Sequence, residues 1–279
     1  RTDSTAMLGS LADTALDLVA SVATLVGVWV AAQPADEEHR FGHGKAEALA
    51  AMFQVFLIVL SAAAIAFRAV LRLANGGQTA AAGDGILVSA VAIAATFALL
   101  AWQRHVIRHT GSVAIKTDNV HYKSDLMLNL AVIAALVLDQ ILGLAAADPL
   151  FGLAIACWLL WGAWRASSEA IDHLMDKEWP EEKRLRFVEV AATHPELSKL
   201  HDLRTRTSGD RDFVQFHVNM PAEMSVGEAH DVIERVEEHL CREFPGMELL
   251  IHIDPEGHVD EPGNALAEAD EFDKLEEKR

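Results

Sequence analysis

Cysteine is nearly missing from this chain: two in 279 residues, Cys157 inside an apolar run and Cys241 within a charged stretch. That placement argues against a disulfide framework and reads both as ordinary packed thiols. Basic residues are scarce as well, 23 Lys and Arg against 41 Asp and Glu, for a formal net charge of -18. With no block of Lys or Arg to offset the excess, nucleic acid is excluded as a partner. No His-Glu-x-x-His occurs, and no nucleophile stands beside the acidic residues of the apolar segments, which removes support for a metallohydrolase.

What the chain does have is hydrophobic residues, 51% of the total, with a mean hydropathy of +0.18. Nearly all long apolar runs precede Arg165, and charges crowd the remainder. A helix needs about 20 apolar residues to cross a bilayer. Five stretches read as candidate spans, near 4–32, 47–73, 85–103, 120–142 and 149–164, the last being short. Cytoplasmic loops are enriched in Lys and Arg. Arg40, Lys45, Arg104, Arg108, Lys116 and Arg165 therefore put the loops 33–46 and 104–118, and everything after the last span, on the cytoplasmic side. Five spans leave Arg1 outside, so one further helix is expected to precede this sequence.

Two carboxylates interrupt the first apolar run, in Asp13-Thr-Ala-Leu-Asp17. Four residues apart, they share a helix face. An aspartate at the centre of a span costs roughly 2.5–3.5 kcal/mol on insertion scales, so its presence calls for a cationic partner. An ion pair with a neighbouring helix is the plain explanation. Against it stands a second pair at the same spacing, His121 and Asp125 in His-Tyr-Lys-Ser-Asp, which opens another apolar run. One imidazole and three carboxylates make a four-ligand set suited to a tetrahedral divalent metal, zinc first.

Between the first two spans lies Asp36-Glu-Glu-His39-Arg-Phe-Gly-His43-Gly-Lys45. Asp36, His39 and His43 form an oxygen-nitrogen-nitrogen set, and the glycines let the backbone fold around an ion. Without context, exposed histidines with no ligand role explain this loop equally well.

Beyond Asp176 the pattern is that of a small soluble α+β domain, 177–255, with helices over 181–193 and 225–244 and strands over 200–207, 213–220 and 248–253. Ser225 and Glu228 have capping-box spacing. The order α-β-β-α-β predicts a three-stranded sheet with both helices on one face. His201, His217, His230, His252 and Asp254 fall where they can converge at one edge, with Asp254 bridging two metals; His194, His239 and His258 lack such partners and read as surface residues. The acidic tail 256–279 is expected to be disordered.

Taken together, the two intramembrane pairs, the Phe-Gly-His-Gly-Lys-Ala-Glu loop and His-Asp-Leu-Arg-Thr-Arg at His201 closely resemble the cation diffusion facilitator family, over about Ser4 to Pro255. The resemblance implies six-span homodimers of the inner membrane, with a multi-span α-helical domain and a cytoplasmic metallochaperone-like domain. It further implies a transport site at Asp13, Asp17, His121 and Asp125, a loop site at Asp36, His39 and His43, and a binuclear site at His201, His217, His230, His252 and Asp254 on a dimer interface. Lys45 and Asp176 correspond to a charge interlock. The expected activity is not enzymatic: Zn2+, with Cd2+ and Fe2+ as further candidates, leaves the cytoplasm in exchange for protons, His121 carrying the coupling. The alternative is a membrane-anchored zinc sensor, which needs no acidic ligands among its spans.

Overall fold

The computed structural model describes residues 5–74, 86–142, 147–197, 199–259 and 261–277; the side chains of 5–17 and 86–92, and several between 125 and 148, lie outside that description. Between Leu174 and Met175 the chain divides into two compact units.

The first unit holds five helices: α1 (Thr5–Ala31), α2 (Lys45–Ala74), α3 (Ile86–Thr110), α4 (Val113–Leu142) and α5 (Ala147–Leu174). Among the described residues, Lys45–Ala74 and Pro149–Leu174 are long and apolar enough to span a membrane, and Leu18–Ala31 is a shorter apolar helix. Three of the helices outrun the hydropathy limits. α5 continues past Trp164 because Ala163, Ala166 and Ala170 keep one buried small-residue face while its other positions turn polar. α3 and α4 likewise extend to meet at a tight turn, where Gly111 takes a positive φ of 67° that a side chain would disfavour.

Packing in this unit centres on α2 and α5, through Val55, Ile58 and Ala62 against Ile155, Leu159, Ala163 and Ala166. α1 approaches α2 closely: a Cβ on Gly27 would collide with that of Ala50, so glycine is what permits the contact. Phe56, Phe67, Trp161 and Trp164 are exposed on the outer faces, as apolar side chains are where lipid is the solvent.

The second unit is an α+β domain: α6 (Glu181–Ala191), β1 (Leu200–Ser208), β2 (Arg211–Met220), α7 (Val226–Glu243), β3 (Met247–Pro255), and the short α8 (Ala265–Glu268) and α9 (Glu271–Glu277). Its sheet runs β1-β2-β3, the first pair antiparallel and the second parallel. Ser225 Oγ accepts from the Glu228 amide and the Glu228 carboxylate accepts from the Ser225 amide, the reciprocal cap its spacing predicts. Phe187 and Val188 of α6, Val232, Val236 and Leu240 of α7, and Leu200, Val214, Phe216 and Val218 of the sheet form one core.

The tail departs from expectation. Residues 261–277 pack on α6 and β1: Leu275 and Ala267 are buried, Asp270 accepts from the Leu200 amide at 3.4 Å, and Arg184 reaches Glu271 at 3.5 Å. Acidic composition averaged over the whole tail hides its apolar anchors, Phe272 and Leu275, one helical turn apart. Leu275→Ala is expected to loosen tail docking by about 2 kcal/mol, at the low end for a buried leucine. Faster proteolysis at Lys274 in the intact protein would report it; an unchanged cleavage rate would contradict the docking.

Candidate metal-transport and metal-binding sites

The side chains of Asp13, Asp17 and Asp125 lie outside the described residues, but their helices and the neighbouring side chains are described. Ser21 Oγ of α1 and Tyr122 Oη of α4 share a hydrogen bond at 3.0 Å. Thr24, one turn further along α1, donates to Gln54 Oε1 of α2 at 2.8 Å, and Gln54 Nε2 donates to Asp118 of α4 at 2.8 Å. Numbers fall on α1 as they rise on α4, so the two helices run antiparallel. Seven residues on from Asp118 is Asp125, and seven back from Thr24 is Asp17. Both steps are two helical turns, about 10 Å in the same direction. Asp17 on α1 and Asp125 on α4 thus lie the same number of turns, in the same direction, from the Thr24–Gln54–Asp118 level, and buried His121 on α4 stands between the levels of Asp118 and Asp125.

In the loop, Asp36 gathers both histidines: Oδ1 lies 3.3 Å from His39 Nδ1, and Oδ2 lies 3.3 Å from His43 Nε2. The same Oδ1 accepts from the backbone amides of His39 at 2.6 Å and Glu38 at 3.0 Å. Those amides hold the carboxyl below its usual range, the His39 amide most. Asp36 is thus ionised and oriented before any cation arrives. Gly42 supplies the positive φ of 78° that turns the loop back on itself.

The soluble unit places three histidines in one row across its sheet, His201 opposite His217 and His217 opposite His252. Asp254, two residues beyond His252, ties the row together. Its Oδ2 lies 3.5 Å from His201 Nε2 and 3.0 Å from His217 Nδ1, and its Oδ1 lies 3.3 Å from His252 Nε2. His201, His217 and Asp254 offer ligand atoms within 4.8 Å of one another. Burial lowers the His201 pKa, which keeps the imidazole in the neutral form that binds metal. Its Nδ1 is buried with no hydrogen-bond partner among the described residues.

A cavity of about 460 Å³ opens over this row, with Glu261 and Glu268 of the tail among its walls. His230 is exposed on α7 and does not line it, so one chain does not bring the fifth residue of the set to the others. Asp202 was not singled out by sequence, yet its carboxylate lies 3.8 Å from His217 Nε2. A β-bulge between His201 and Arg204 puts it there, with φ of 46°. His194 and His239 also differ from expectation, since their rings hydrogen-bond to each other at 2.7 Å. Cys157 is exposed rather than packed, and both thiols are free.

Lys45 Nζ donates to the Leu174 carbonyl at 3.3 Å within the first unit, and Asp176 lies 3.6 Å from Arg206 within the second.

Comparison with known proteins agrees with this two-part organisation. Residues 1–175 match the cation efflux transmembrane domain, and residues 179–256 match the cytoplasmic domain of cation efflux proteins. The cation-efflux pump FieF of Klebsiella pneumoniae subsp. pneumoniae is 40% identical over 258 residues, covering 92% of this chain and 86% of the relative. FieF of Cronobacter sakazakii is 41% identical over 254 residues, covering 91% and 84%. Among solved structures, the metal-bound C-terminal domain of the CzcD transporter from Thermotoga maritima is similar to 29% of this chain, at 22% identity and a TM-score of 0.28, with 99% of that chain covered. With both domains matched in order and its relatives matched across most of their length, the chain belongs to the cation diffusion facilitator family of metal-cation efflux transporters.

Proposed function

We propose that this transporter exports Zn2+ from the cytoplasm across the inner membrane in exchange for protons, by alternating access of a site formed by Asp13, Asp17, His121 and Asp125. The observation that carries the reading is the register of α1 against α4, fixed by Ser21–Tyr122 and by Thr24–Gln54–Asp118. It supports the reading because Asp17 and Asp125 are each seven residues, and in the same direction, from that level. An imidazole among carboxylates favours zinc over the all-oxygen surroundings that suit Mg2+ or Mn2+. Asp36, His39 and His43 would hold a second ion at the loop.

His201, His217, His252 and Asp254 would hold structural zinc in a homodimer, with Asp254 bridging two ions. His230 would join them from a second copy of the chain. Metal at an interface couples binding to association. The full chain in detergent is therefore expected to dimerise more tightly with zinc, and His217→Ala together with Asp254→Ala to weaken that dimer. Sedimentation that is indifferent to zinc would contradict it. Lys45 and Asp176 are assigned to an interlock that holds the protomers together. Exchanging the two charges should then restore the dimer that either single reversal loosens, and failure of the exchange would leave each as an ordinary surface charge worth about 0–1 kcal/mol.

A further inference from the structure

Asp118 lies in α4, three residues before His121, and is buried, one turn from the transport-site histidine. Both of its carboxylate oxygens are occupied: Gln54 Nε2 of α2 donates to Oδ1 at 2.8 Å, and Gln103 Nε2 of α3 donates to Oδ2 at 2.7 Å. The outer oxygens of the two amides are used in turn. Thr24 of α1 donates to Gln54 Oε1 at 2.8 Å, and Asn119 of α4 donates to Gln103 Oε1 at 2.9 Å. All five members of this network are buried. Every hydrogen bond points toward the carboxylate, whose two oxygens accept from the amides that face them.

We propose that Asp118 is a positioning residue for the transport site: it joins α1, α2, α3 and α4 in one directional network that fixes the height of α1 against α4. The consequence for metal is geometric. Thr24 and Asp118 sit at one level through Gln54, and two turns along each antiparallel helix stand Asp17 and Asp125. A slip of one residue along either helix moves its ligands by about 1.5 Å, enough to take a carboxylate out of a zinc shell whose bonds are about 2.0–2.2 Å. Gln54 also ties this level to the packed α2–α5 pair, through the helix that carries Val55 and Ile58 in that core. Bulk alone would not do this. A leucine in place of Asp118 would leave two buried amide donors unmatched and nothing to set register.

The test uses two changes that conserve size. Gln54→Glu alone sets a second carboxylate against Asp118 and breaks the bond between them. Adding Asp118→Asn restores every bond with the charge moved one position: the amide introduced at position 118 would donate to the carboxylate introduced at position 54 and accept from Gln103, while Thr24 still donates to position 54. Zinc titration of the full chain, with Asp17→Ala as the reference that identifies the membrane-site component, is paired with zinc flux in proteoliposomes. Gln54→Glu is expected to weaken the membrane component and raise the zinc KM about tenfold or more, with maximal flux within about threefold of the parent and cytoplasmic binding unchanged. The double variant should return affinity and KM to within about threefold, inside the usual context spread for one hydrogen bond. The proposal is overturned if Gln54→Glu leaves KM and affinity unchanged, if only maximal flux or thermal stability falls, or if the double variant is no better than the single. The proposal rests on the transport-site assignment above. A parent protein with no Asp17-dependent zinc component would overturn both; a parent with that component and unaffected variants overturns only the role of Asp118.

Discussion

Asp17→Ala or Asp125→Ala is expected to abolish metal flux while leaving zinc bound at the row of His201, His217 and Asp254. The two effects separate because the residues lie in different compact units. A tetrahedral site stripped of one of its four ligands is undercoordinated, and within a bilayer bulk water is not at hand to replace the oxygen. Loss of an outer hydrogen-bond partner to a ligand typically costs about 10- to 100-fold in metal affinity. Loss of the ligand itself should exceed that. Flux in proteoliposomes below about one hundredth of the parent is the expected result, and normal flux in either variant would sink the site assignment.

Acid should release metal from the same site, with His121 as the group that answers. Three carboxylates and a neutral imidazole hold a dication well. Emptied and fully ionised, they repel one another, so departure of the metal favours arrival of a proton. Zinc needs the imidazole unprotonated, and the two therefore compete for one place. Affinity is therefore greatest where the imidazole is neutral and falls as acid protonates it. Measured with Asp36, His39, His43 and the cytoplasmic row replaced, the membrane component should show that slope, and His121→Ala should flatten it. A slope that survives in His121→Ala would move the coupling to the carboxylates, which can share a proton as a cluster.

Helix spacing alone puts Asp13 one turn from Asp17 in α1 and His121 one turn from Asp125 in α4, because four residues make about one turn regardless of what packs around them. The capping box at Ser225 was equally readable, as was the alternation that puts His252 and Asp254 on one side of β3. Cross-strand relations were not. That His201, His217 and His252 form a row depends on strand register, and the bulge after His201 brings Asp202 beside His217 through a backbone conformation that no local pattern announces. The span limits erred where hydropathy and helicity part company. α5 keeps a buried alanine face through Ala170 after its composition has become polar.

The Asp118 network was missed for a different reason. Its members are scattered over four helices, and each alone resembles a stray polar residue. One signal was nevertheless present: Asp118, His121 and Asp125 stand at i, i+3 and i+7, a single helical stripe. Gln54, buried in an otherwise apolar stretch of α2, was the second.

Zinc uptake into proteoliposomes containing the intact chain, under an imposed pH gradient, tests the central claim most directly, since exporter and membrane-anchored sensor bind zinc alike and only the exporter moves it. With the acidic side in the position of the cell exterior, zinc should accumulate there against its own gradient, and accumulation should stop when the pH gradient is collapsed. Vesicles that bind zinc at the cytoplasmic row but accumulate none under any gradient would contradict export and leave the sensor standing.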